Sequence, residues 1–295
     1  MKRHSDKLPI EFLEQDRDLL QRAYGFSTRK QLGQNFLVNK EALERIVEEV
    51  ALEPGEKTVE IGPGLGFLTE LLVAKGALVT AIELDPYCVN ELAKLSLPNL
   101  TIIESDFLRT DLNSILNAPT KVVGNIPYNI TTPIISKLIG EIGEPAPWLK
   151  QIRSIVLTVQ RELAARLVAK PGNKDYSQIT LLMNYYGSTE MLFKIPPESF
   201  SPPPKVHSVV IKFTPHEKIR VECKNHILLR KVIQTSFASR RKMLKNNLRS
   251  LHVQEDILTK IFRQLNFDPQ VRAESLSLDL FAKLTDALEK EITCK

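Results

Sequence analysis

The chain has 295 residues, 43% of them hydrophobic and 25% charged. That composition supports a sizeable packed core without covalent staples, and no apolar run approaches the roughly 20 residues a membrane-spanning helix needs, which excludes an integral membrane protein. The net charge of +5 is unevenly placed: residues 1–214 sum to −1, and residues 215–295 to +6.

Residues 1–24 form a polar, partly helical arm. It has no apolar stretch of the kind a signal peptide needs, and its Asp6, Glu11, Glu14, Asp16 and Asp18 are acids that a mitochondrial presequence avoids. Thr58–Ile61 then predicts a strand, followed by a glycine turn and a helix over Phe67–Lys75. Next come a strand over Ala77–Glu83, a helix over Tyr87–Leu95, and strands over Leu100–Glu104 and Lys121–Gly124. A helix is expected over Thr132–Ile142, a strand over Ser154–Gln160 and a helix over Arg161–Ala169. Alternating units of this length imply a parallel sheet covered on both faces by helices. Val206–Phe213 alternates with period two and predicts a late strand, an edge or hairpin partner. After Pro215 the strand signal stops. Ile227, Leu228, Val232, Ile233 and Phe237 repeat at helical spacing, as do Ile257, Ile261, Phe262 and Leu265. The expected division is an arm (1–24), an α/β domain (25–214) and a small all-helical domain (215–295). No internal repeat is visible.

The turn Glu60-Ile-Gly62-Pro-Gly64-Leu-Gly66-Phe67 falls where the first strand meets the first helix. A dinucleotide fingerprint places its third glycine where this chain has Phe67, so the pattern leans away from NAD and towards S-adenosylmethionine, a ligand without phosphates. Two acids raise the odds. Glu83 ends the second strand 21 residues past Gly62, where a carboxylate accepts ribose hydroxyls, and Asp106 follows the third strand, where it can accept from an adenine amino group. The alternative for both is service as helix N-caps.

Asn125-Ile126-Pro127-Tyr128-Asn129 closes the fourth strand and is the most specific signal in the chain. The exocyclic amine of a base is a poor nucleophile because its lone pair is delocalised into the ring. Two acceptors, the Asn125 carbamoyl oxygen and the Ile126 main-chain carbonyl, would pull the nitrogen towards tetrahedral geometry. Pro127 would stiffen that carbonyl, and the Tyr128 ring offers a stacking face for a base swung out of its helix. The alternative is a plain turn with Tyr128 in the core.

Together, Gln31–Leu37, Glu60–Gly66, Asn125–Tyr128 and Phe200–Ser208 resemble the rRNA adenine N6-dimethyltransferase family, and within it the bacterial branch acting on small-subunit (16S) rRNA. The resemblance covers about residues 25 to 290 and includes the helical tail. It implies a Rossmann-like, S-adenosylmethionine-dependent methyltransferase sheet with a small C-terminal helical domain. The implied reaction is dimethylation of two adjacent adenines in the terminal hairpin loop of the small-subunit rRNA. By the same resemblance, Asn35 and Leu37 contact the cofactor, Gly62 and its neighbour Gly64 lie against it, and Glu83 binds the ribose. Asp106 takes the cofactor's adenine amino group, Asn125 sits between methyl and target, and Phe200 clamps the flipped adenine opposite Tyr128. Ile126 stands where the family commonly has Leu; only its carbonyl is needed.

Between Lys218 and Arg249 ten Lys or Arg face one acid, Glu222, which favours a polyanion partner over a merely solvated helix face. Arg240, Arg241, Lys242 and Lys245 match a basic run of the family and are expected at RNA phosphates. So is Lys205, on a proline-stiffened loop beside the site, and so is Arg161 near its mouth. Cys88, Cys223 and Cys294 form no C-x-x-C pair, and His4, His207, His216, His226 and His252 show no metal spacing. No metal is expected. The composite expectation is a cytoplasmic monomer acting on rRNA within pre-30S particles late in ribosome biogenesis. The competing readings are a large-subunit (23S) rRNA dimethyltransferase, an assembly factor with methylation as its release step, and a small-molecule or protein amide methyltransferase.

Overall fold

The computed structural model describes residues 16–25 and 33–293. Most of the expected N-terminal arm, Gln31 and Cys294 lie outside the described residues.

Helix α1 (Arg17–Tyr24) precedes a two-residue strand β1 (Phe36–Leu37) and α2 (Lys40–Val50). Asn39 starts α2 by accepting the Ala42 amide at 2.8 Å, the side-chain cap its residue type favours. The expected alternation follows: β2 (Lys57–Ile61), α3 (Phe67–Ala74), β3 (Leu78–Glu83), α4 (Pro86–Lys94), β4 (Leu100–Glu104) and β5 (Thr120–Asn125). Asp85 caps α4 from the Tyr87 amide, with Pro86 in the first turn where its missing N–H costs nothing. Then come α5 (Thr131–Ile139), the hairpin β6 (Gly140–Glu141) and β7 (Glu144–Pro145), β8 (Ile152–Gln160), α6 (Arg161–Leu167), α7 (Gln178–Tyr186) and β9 (Gly187–Ile195). The last strands are β10 (Phe200–Ser201) and β11 (Ser208–Pro215), followed by α8 (His226–Ser236), α9 (Leu244–Leu248), α10 (Glu255–Gln264) and α11 (Leu278–Thr293).

Seven strands form one sheet in the order β4-β3-β2-β5-β8-β11-β9. β4, β3, β2, β5 and β8 are mutually parallel, and β11 runs antiparallel to both its neighbours. The chain steps outward from β2 to β4 and then returns to the other side of β2 for β5, so the strand order reverses between β2 and β5. Ligands of open α/β sheets bind outside the carboxyl ends of the strands at such a point.

Alternation along the strands sends side chains to opposite faces. Val122, Ile155, Leu157, Val209 and Ile211 enter one buried cluster with α5, α6 and α7; Val123, Val156 and Val210 enter another with α2, α3 and α4. The first cluster runs without a break from Tyr185 and Phe213 into Leu229, Val232, Ile233 and Phe281 of the helical tail. The tail is also tied to the β6–β7 hairpin, where Arg230 bonds Glu141 and Glu144 at 2.6 Å each.

Of the two placements expected for the late strand, β11 takes the second: it is the antiparallel partner of β9, and β9 forms the edge. The helix expected to run to residue 142 stops at Ile139, because Gly140 takes φ +92 and lies so close to the Glu144–Ala146 backbone that a Cβ would collide with it. Neither α7 nor β9 was anticipated.

The described part of the arm lies across the glycine turn. Leu20 and Ala23 are buried, and Arg22 donates to the Leu65 carbonyl at 2.9 Å and to Glu70 at 2.7 Å while covering the Phe67 ring. At the other end of α1, the buried Asp16 accepts the Lys40 amide that opens α2.

Candidate active site

A cavity of about 260 Å³ opens at the carboxyl ends of β2, β3, β4 and β5. Asn35, Leu37, Gly62, Gly64, Glu83, Asp106, Asn125, Ile126, Pro127 and Tyr128 all line it.

On one side stands the glycine turn. Gly62 has φ +65, and a Cβ added there would meet nothing within 4 Å, so its backbone faces open space that a ligand can enter. Gly64, at φ +57, is held for a different reason: a Cβ would come within 2.8 Å of the Phe36 ring. Glu83 ends β3 almost fully buried, with Oε1 accepting the Leu84 and Asp85 amides and Oε2 the Gly64 amide, all between 2.8 and 2.9 Å. Burial pushes its carboxyl above the ordinary range, and the three amides oppose that shift. Three amides thus fix the carboxylate's orientation at the cavity wall. Asp106 accepts the Leu108 amide at 2.9 Å through Oδ1, and its Oδ2 lies 3.6 Å from Arg109 Nε.

Glu60 also lines the cavity, and the sequence reading gave it no role. It is buried, and its Oε2 accepts the Thr69 hydroxyl at 2.6 Å. Burial pushes its carboxyl up to about 8; the Thr69 hydrogen bond opposes this, and the neighbouring Glu83 adds to it. The signal was available: an acid just inside the end of an otherwise apolar strand. Folded Glu60 therefore keeps a proton that the unfolded chain, at about 4.5, gives up. Its contribution to stability is complete below that lower value and is lost as the pH climbs towards about 8. Stability against urea is expected to fall across this window by up to ~1.4 kcal/mol per pH unit relative to Glu60→Gln. Parallel curves for the two proteins would refute it.

On the other side, Asn125 Nδ2 donates to the Asn35 carbonyl at 3.0 Å, and Asn35 Nδ2 in turn donates to the Gly33 carbonyl at 3.0 Å. One N–H of the amide is thus held by the loop, and its carbonyl oxygen is left to accept. Gln34 Nε2 pins the same loop to Asp85 Oδ2 at 2.9 Å. Pro127 (φ −57) leads into a single 3-10 turn over Tyr128–Ile130, and its carbonyl accepts the Ile130 amide and the Thr131 hydroxyl. Tyr128 is half-buried at the cavity, its hydroxyl 2.5 Å from Ser208 Oγ. The open face of Gly62, the carboxylates of Glu83 and Asp106, and apolar walls from Leu84 and Phe107 fit the sulfonium nucleoside S-adenosylmethionine.

A model of the ribosomal RNA adenine dimethylase family matches residues 25–290. The chain belongs to that family. It is 38% identical to the ribosomal RNA small subunit methyltransferase A of Clostridium botulinum, covering 90% of this chain and 95% of the relative. To the protein of the same name in Picosynechococcus it is 40% identical, over 88% of this chain and 97% of the relative. Among solved structures, a dimethyladenosine transferase from Plasmodium falciparum superposes with a TM-score of 0.71 at 25% identity, over 87% of this chain and 98% of that one. The 23S rRNA methyltransferase ErmE shares the fold at a TM-score of 0.68 and 24% identity, covering 86% of this chain and 100% of that one. This family member is an S-adenosylmethionine-dependent rRNA methyltransferase with a Rossmann-like sheet.

Two groups of expected residues in this dimethylase have intramolecular surroundings of their own. Phe200 does not line the cavity: β10 pairs with β1, Leu37 opposite Phe200, and the ring is 3% exposed inside the cluster that holds Phe36 and Leu37. The basic run divides as well. Arg240 donates to the Lys174 and Tyr176 carbonyls and faces Glu274, and Lys245 pairs with Glu255 at 2.6 Å and reaches Thr259. Arg241 and Lys242 are exposed, with no side-chain partner among the described residues. Arg161 and Lys205 are exposed, and the Arg161 amide donates to the His207 carbonyl at 3.0 Å, next to Ser208.

Proposed function

We propose that the protein dimethylates N6 of two adjacent adenines in the terminal hairpin loop of small-subunit (16S) rRNA, within pre-30S particles late in their assembly. In this reading it works as a cytoplasmic monomer. The observation that carries it is the Asn125 amide, anchored through its nitrogen to the Asn35 carbonyl in the same cavity that Tyr128 lines.

Bound S-adenosylmethionine supplies an electrophilic methyl group on a sulfonium. Glu83 Oε2 and Asp106 hold the nucleoside, and Gly62 admits it against the backbone. Tyr128 stacks on the extruded adenine, and Asn125 Oδ1 and the Ile126 carbonyl accept its two amino hydrogens. Those bonds draw the amino nitrogen out of conjugation and aim its lone pair at the methyl. Neutral acceptors suffice, because the nitrogen becomes acidic only once it carries the new methyl, and its proton then passes to solvent. The second round needs one acceptor, since a single N–H remains.

Residues 215–295 serve as the RNA-binding domain behind the methyltransferase domain of 25–214. Arg241, Lys242, Arg161 and Lys205 contact phosphates; Arg240 and Lys245 act within the fold. Accordingly, Arg241→Ala and Lys242→Ala should each lower the slope of log affinity against log salt by about 1. Arg240→Ala should leave that slope alone and reduce thermal stability. A slope that falls with Arg240 and not with Arg241 contradicts the assignment.

Purified protein with labelled methyl donor, offered immature 30S particles and naked 23S fragments in parallel, tests the whole. Label in adenine of the particles supports the reading; label confined to the fragments points to the large-subunit alternative.

A further inference from the structure

Ser208 is the first residue of β11. It is fully buried and is paired with Gln160 of β8 and Ile195 of β9, so its position is fixed by strands on both sides. Its hydroxyl meets that of Tyr128 at 2.5 Å, across 80 residues of chain. Tyr128 sits on one 3-10 turn at the cavity mouth. A tyrosine ring there has two side-chain torsions, and tethering its far end to the sheet restrains both. Burial holds the phenol above its ordinary range, so the tether is a neutral hydrogen bond throughout the working pH.

We propose that Ser208 is a positioning residue for methyl transfer, presetting the Tyr128 ring so that an incoming adenine meets a stacking face already in place. The proposal rests on the reading above, in which Tyr128 stacks on the target. Ordering that would otherwise be lost on binding is thereby built into the fold. The same stretch carries more of the substrate side. Lys205 stands exposed three residues earlier, and the His207 carbonyl holds the amide of Arg161, the first residue of α6. Residues 205–208 thus link the stacking ring to two of the cations assigned to phosphate.

A double-mutant cycle tests the coupling. Ser208→Ala and Tyr128→Phe should each lower kcat/KM for methylation of immature 30S particles about three- to tenfold, with KM for S-adenosylmethionine unchanged. The double variant should be no worse than either single one, and Ser208→Thr, which keeps the hydroxyl, should recover most of the loss. A Ser208→Ala protein of full efficiency, or losses that multiply in the double variant, overturns the proposal. A second readout needs no turnover: 3-fluorotyrosine at position 128 should give one sharp 19F line in the parent and a shifted or broadened line in Ser208→Ala. An unchanged line refutes the tether even if the particles prove to be the wrong substrate; an altered line with unmethylated particles upholds the tether and rejects the substrate assignment.

Discussion

Replacing Asn125 with alanine is expected to cut the methyl-transfer rate at saturating donor by roughly 10²–10³-fold, while the Kd for S-adenosylmethionine stays within a few-fold of the parent. The rate falls because the variant loses an oxygen aimed at the amine. The cofactor should be spared because the other contacts proposed for it, at Gly62, Glu83 and Asp106, sit on three different strand ends that line the cavity. Asn125→Asp divides the role. It keeps an acceptor but has no N–H for the Asn35 carbonyl, which the native amide engages at 3.0 Å. An intermediate loss is therefore expected, since the oxygen is present but no longer held. Single-turnover rates alongside cofactor titration separate the two effects. A fall in cofactor affinity with intact transfer would reverse the assignment.

Glu83→Gln should act at the opposite end of the site. Three main-chain amides converge on the carboxylate, so the substituted amide group must point its own N–H groups at at least one of them. The variant loses a charge-assisted bond to the ribose and leaves a buried donor unpaired, each on the order of 1–3 kcal/mol. Affinity for S-adenosylmethionine should fall about 10- to 100-fold, with kcat at saturation changed far less. Isothermal titration and steady-state kinetics read the split. Unchanged affinity would mean that Glu83 only shapes the turn between β3 and α4.

Much of this was legible because local signals and tertiary structure agree. Gly62 and Gly64 do need positive φ, the acids after β3 and β4 do reach one cavity, and Asn125 closes β5 beside the strand-order reversal. What was illegible has particular causes. In α7, Ile179, Thr180, Leu181, Met183, Tyr185 and Tyr186 are buried almost all round, which erases the one-sided period of a surface helix. β9 is an edge strand whose mixed residues alternate poorly. Arg240 and Lys245 looked like their neighbours because their acids, Glu274 and Glu255, lie further along the chain and meet them only in the fold. The motif around Phe200 marks an aromatic without saying that β10 pairs it with Leu37 of β1. Ser208 closes the Phe200–Ser208 motif, but nothing in the sequence pairs it with Tyr128, 80 residues away, until the fold brings the two hydroxyls together.

The position of the methyl groups in the RNA is the decisive readout. Ribosomal RNA from cells with and without this protein, digested and mapped by mass spectrometry, should differ at two neighbouring adenines of the small-subunit terminal hairpin loop. Both should be N6,N6-dimethylated when the protein is present and unmodified when it is absent. Identical adenine modification in the two samples, or a difference found only in 23S rRNA, would contradict it.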